Sequence, residues 1–180
     1  MMTLEGLTIT SGMICLGLGV FLAGTPALAR QALQAFPRSL WAGGILAAVA
    51  LAWSAWEANN MTLGVIDAYK SWLWVVGPVL YLLVMFFMNE LLAARALGGV
   101  LMLSASPILE LQRVHESSWA VVMGVWAYII VVAGMVLMLS PFRFRHVCAK
   151  FCGTDSLCRR TGLAELVSGI LLIALGVLVF

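Results

Sequence analysis

Charge is what this sequence has least of. Asp, Glu, Lys and Arg make up 10% of its 180 residues, against 63% hydrophobic, whereas a soluble domain carries about a quarter charged residues to cover its surface. That shortage excludes a water-soluble domain of this size and leaves lipid as the main solvent. The net charge of +2 includes no basic run on a soluble module, so nucleic acid is not expected as a partner. Histidine occurs twice and cysteine four times, and a disulfide framework is not expected in so apolar a chain. No Gly-x-Ser-x-Gly, His-Glu-x-x-His, Walker or Rossmann spacing occurs, so a membrane enzyme with residues dispersed over several helices is the least favoured of three readings. The opening residues MMTLEG lack the Lys or Arg of a secretory leader. The first apolar stretch is therefore expected to remain as a span, although Thr25–Ala29 has the small-x-small form of a cleavage site.

What is there is apolar sequence in membrane-length pieces. A helix crosses the hydrocarbon with about 20 such residues, which places spans near residues 6–24, 40–58, 72–88, 91–105, 119–139 and 162–180. The predicted fold is all-α: one integral membrane domain over 1–180, a six-span bundle with two amphipathic interfacial helices. The run from Trp72 to Leu109 would exceed about 50 Å as one helix, too long for a bilayer, so a tight hairpin is expected at Asn89-Glu90. Six spans with both termini outside put Arg30, Arg38, Arg95, Arg143, Arg145, Lys150, Arg159 and Arg160 on the cytoplasmic side, against Lys70 and Arg113 outside. That is the positive-inside bias. Trp53, Trp56, Trp72, Trp74 and Trp119 then fall at the outer interface, as a lipid-anchoring belt or as an aromatic zone for a partner, pigment or quinone.

Three spans end on a glycine, an apolar run and Ser or Thr before Pro: Thr25-Pro26, Ser106-Pro107 and Ser140-Pro141. Ser or Thr caps a helix and Pro suits its first position, so each span is expected to bend there into a short interfacial helix. Phe144, Val147, Cys148, Phe151 and Cys152 form one apolar stripe opposite Arg143, Arg145, His146 and Lys150. Leu28, Ala32 and Phe36 oppose Arg30, Gln31 and Gln34 in the same way. Anionic headgroups would hold both segments, with Arg143, Arg145, Lys150, Arg159 and Arg160 as anchors. Thr25-Pro26 and Ser106-Pro107 lie at opposite ends, as in a three-plus-three inverted repeat. Recurrent capping explains all three sites equally well, and Ser140-Pro141 has no inverted counterpart.

Three cysteines crowd into Cys148–Cys158, yet Cys-x3-Cys-x5-Cys matches no zinc or iron–sulfur spacing. His146 stands about 160° around the helix from Cys148, so no metal is expected. His115 and His146 fall on opposite membrane faces, which excludes one haem held by both within a single copy. Glu90, Arg95 and Glu165 lie in or beside spans, where ionisable residues are functional candidates. They form a possible inner ion or proton site. The glycines of the spans, among them Gly17, Gly19, Gly43, Gly44, Gly98, Gly99, Gly124, Gly134, Gly169 and Gly176, are expected to make close helix-packing faces. The sequence therefore predicts an accessory subunit of a larger membrane complex, partnered by lipids and by other subunits or its own copies. The alternative is a small homo-oligomeric transporter or channel with its polar site at Glu90, Arg95 and Glu165.

Overall fold

The computed structural model describes residues 3–62, 64–87, 91–114, 117 and 119–179. Among these the chain forms α1 (Leu4–Gly24), α2 (Pro26–Ala35), a 3-10 turn (Phe36–Arg38), α3 (Leu40–Asn60), a 3-10 segment (Gly64–Trp72), α4 (Leu73–Phe87), α5 (Leu92–Val114), α6 (Ala120–Leu139), α7 (Phe142–Cys152) and α8 (Asp155–Leu178). Six helices are long and apolar enough to span a membrane. The 21 residues of α1 reach about 31 Å at 1.5 Å per residue, the thickness of the hydrocarbon layer. Helices α2 and α7 are short and amphipathic, and lie together at one end of the bundle, joined by the Phe36 and Phe144 rings at 5.6 Å. Asn89-Glu90, and with it the expected hairpin, lies outside the described residues.

Helix starts follow local chemistry. Thr3, Ser39 and Thr154 each accept a backbone N–H of the first turn, from Gly6 at 3.1 Å, Ala42 at 3.3 Å and Leu157 at 3.3 Å. The Ser/Thr-Pro sites behave differently from the sequence expectation. Pro26 does open α2, but the Thr25 hydroxyl donates backwards to Phe21 O at 3.0 Å, closing α1. Neither Thr25 nor Ser140 makes a side-chain cap of the helix that follows. At Ser106-Pro107 no break occurs: α5 runs through Pro107 to Val114, nine residues beyond the expected end of that span. Ala105 and Ile108 flank the proline and are buried at 1% and 3% exposure, so tertiary packing carries the helix past its missing hydrogen bond. The two breaks that do form stand at the same end, and the inverted-repeat arrangement disappears with the third.

Glycine sets the helix pairing. Gly12 and Gly19 of α1 meet Gly169 and Gly162 of α8; a Cβ at Gly12 would stand 2.9 Å from the Gly169 carbonyl oxygen, and one at Gly19 equally close to that of Gly162. Gly98 and Gly134 bring α5 and α6 together in the same manner: a Cβ on Gly98 would stand 2.6 Å, and one on Gly134 2.7 Å, from the other's carbonyl oxygen. Seven-residue spacing keeps such contacts on one seam of an antiparallel pair. Helix α3 packs on α5 through Gly43, against Leu92 and Ala93, and on α4 through Gly44, against Tyr81 and Met85. By contrast Gly17, Gly24 and Gly77 face open space, and α4 has no buried residue at all.

Candidate functional site

Where the α1–α8 pair meets α3, α5 and α6, the side chains leave a cleft of about 610 Å³. Its polar groups come from four helices: Ser11 of α1, Glu57 of α3, Ser104 of α5 and Glu165 of α8, with Trp53 and Trp126 on its walls. The size and the apolar lining with few convergent polar groups match an ordinary small-molecule site. Glu57 accepts the Trp53 indole N–H at 3.0 Å. Glu165, one turn deeper than the basic start of α8, interacts with the Cys15 thiol, as does Ser168. Both glutamates are half-buried.

A second cleft of about 550 Å³ runs outward between α7 and α8, past Thr161, Arg160 and Lys150. Trp126 and Glu165 line both clefts. The two spaces thus adjoin at one carboxylate, with cationic side chains on the α7 side and the Glu57 carboxylate on the other. Among the described residues the ion pairs are Arg30–Asp155 at 2.7 Å and Lys70–Asp67 at 2.9 Å; neither Glu165 nor Arg95 joins one. Arg95 lines neither cleft, and its Nε is buried without a hydrogen-bond partner. Glu90 lies outside the described residues. The structure therefore separates Arg95 from Glu165 and gives Glu165 different companions, Trp126 and Cys15.

The tryptophans divide. Trp56, Trp72, Trp74 and Trp119 are exposed, as a lipid-facing belt requires, while Trp53 turns its indole N–H to Glu57. Sequence reasoning missed Glu57 and Trp126. Glu57 stands four residues after Trp53, a helical i,i+4 spacing that could have found the pair.

The cysteines form a small core at the end that carries α2 and α7. Cys158 folds back past Gly153 so that Cys152, Cys158 and Ala29 are buried together, with Leu22 and Leu33 around them. Burial, then contact with Cys158, pushes the Cys152 thiol up to about 11. Among the described residues no group of three or more potential ligands could hold a metal ion. On α2 the packed residues are Pro26, Ala29 and Leu33, while Leu28 and Ala32 turn outward. On α7 Phe144 and Cys152 are buried while Val147 and Phe151 are exposed. One half of each apolar stripe therefore packs on protein and the other half faces outward.

Comparison of the chain with protein-family models, with curated proteins and with solved structures gives no match.

Proposed function

We propose that this protein is a non-catalytic accessory subunit of a larger membrane complex. The observation that carries the reading is α4, which with the 3-10 residues before it makes a membrane-length segment, Lys70–Phe87, and which has no buried residue and is attached to the bundle chiefly through α3. In lipid there is no hydrophobic force between helices, and position is fixed by close packing. A span that finds so little of it within its own chain is suited to finding it on another. Trp74, Phe86 and Phe87, exposed by 70%, 76% and 83%, supply large contact surfaces, and the open Gly77 admits a close backbone. Purification from native membranes in mild detergent, followed by the mass of the intact particle, tests this. A hetero-complex is expected. A homogeneous particle of this chain alone would overturn the reading.

In that complex the end bearing α2 and α7 faces the cytoplasm. Eight of the ten Lys and Arg residues lie at that end, and the positive-inside rule orients them. An amine reagent that cannot cross the membrane should therefore label Lys70 but not Lys150 from outside.

A second reading, a small transporter or channel, is favoured by one specific feature: Glu165 stands where the two clefts adjoin. A flux lost on removing that charge is its signature.

A further inference from the structure

The packed pair α2 and α7 leaves a groove between its two helices, about 370 Å³ in volume. Its polar lining is Gln34 and Arg38 from the α2 side and Arg145 from α7; Leu33, Cys148 and Ala149 complete it. Among the described residues no carboxylate lines it. Arg38 and Arg145 are exposed at their outer sides and make no hydrogen bond or ion pair among the described residues. Asp155, which lines the neighbouring cleft with Gln34, is already held by Arg30 at 2.7 Å. Two guanidinium groups thus share a concave site with an amide and, among the described residues, no carboxylate.

Guanidinium forks match the oxygens of phosphate, and basic pockets beside membrane helices suit anionic headgroups. The groove also lies between helices whose exposed residues Leu28, Val147 and Phe151 are suited to lie among acyl chains. We infer that this groove binds the phosphate of an anionic phospholipid, with Arg38 and Arg145 clamping its oxygens and Gln34 donating a further hydrogen bond. Phosphate chemistry is shared with the free ion, but the adjoining apolar surface favours a headgroup whose acyl chains run beside α7.

The test is native mass spectrometry of the purified full chain titrated with phosphatidylglycerol, with phosphatidylcholine of the same chains, and with inorganic phosphate. A one-lipid adduct with phosphatidylglycerol is expected, weakened about tenfold or more in Arg38→Gln/Arg145→Gln. Arg113→Gln removes a charge at the opposite end of the bundle and should leave the adduct nearly unchanged. The three substituted arginines are exposed, and Arg38→Lys/Arg145→Lys, which keeps charge but not the fork, guards against a folding defect by giving an intermediate loss. Cys148 provides a second readout. It is the half-buried cysteine of a set otherwise buried, so its alkylation at alkaline pH should slow when phosphatidylglycerol is bound. Equal binding of phosphatidylcholine, equal loss in the off-groove variant, or inorganic phosphate binding as tightly as the lipid would each overturn the inference.

Discussion

Cys152 shows how much one side chain can report about its end of the molecule. Its thiol is 6% exposed, wedged between α2 and the start of α8, and its pKa stands near 11 against an ordinary 9.0. The unfolded chain loses this proton first as pH rises. The stabilisation is therefore complete below about pH 9 and is lost as pH climbs toward 11. Thermal unfolding followed from pH 7.5 to about pH 11 should fall more steeply in the wild type than in Cys152→Ala, although the alanine variant starts lower because it leaves a cavity. Parallel slopes would mean that Cys152 does not titrate with unfolding. At this scale the sequence is only partly readable. Helical angles place Cys148 and Cys152 near one face, but they say nothing of Cys158, which lies beyond Gly153 and returns through the α7–α8 turn. Glu57 was hidden for a related reason: it follows two tryptophans at the end of a span, where an interfacial glutamate looks solvated, and only the fold turns it toward the cleft.

Individual elements are governed by which glycines have partners. The membrane-length helices are legible in the sequence because length and apolarity are local properties, and their bounds agree with the structure within two residues except where α5 continues through Pro107 and where α8 begins at Asp155, seven residues before the expected start. Which glycines hold the bundle together is a property of two helices at once. Gly17 and Gly19 look equivalent in sequence, yet a Cβ at Gly19 would run into the α8 backbone and one at Gly17 would meet nothing within 4 Å. A Cβ at Gly98 would crowd the Gly134 carbonyl oxygen at 2.6 Å, whereas one at Gly99 would make an ordinary contact with Ala50 at 3.7 Å, so Gly98 is an internal contact of this chain rather than a surface for another. Gly169→Leu should consequently destabilise the isolated protein by about 1–3 kcal/mol or more, since backbone carbonyls cannot move aside. Gly17→Leu should leave the melting temperature of the purified protein within a degree or two. If α1 also packs on a partner, Gly17→Leu should release the protein from its complex while Gly169→Leu lowers its amount. Melting curves on the purified variants, together with their recovery in the native particle, separate these outcomes. Similar destabilisation by both substitutions would refute the assignment of the α1 seam.

For the whole molecule, the decisive feature is where ionisable groups stand relative to the spaces between helices. A carboxylate in a span is costly unless it is paired, solvated or used. Glu165 has no ion-pair partner among the described residues; it lies on the shared wall of two clefts, one with Lys150 and Arg160 and the other with Glu57. If those clefts carry a proton or a cation, Glu165→Gln should abolish most of the flux in reconstituted vesicles while the melting temperature stays nearly constant, because no salt bridge is lost. Glu57→Gln is the companion variant: the glutamine carbonyl can still accept the Trp53 N–H, so it removes charge while keeping that contact. Vesicle orientation is read by amine labelling at Lys70 and Lys150, which lie at opposite ends of the bundle. Flux in the wild type that falls in both variants would favour a transporter and make α4 a contact between copies. Absence of any wild-type flux, with both variants still entering the native complex, would leave Glu165 as a tolerated polar group beside Cys15 and Ser168. The thinly packed α4 would then remain the feature that supports a partner.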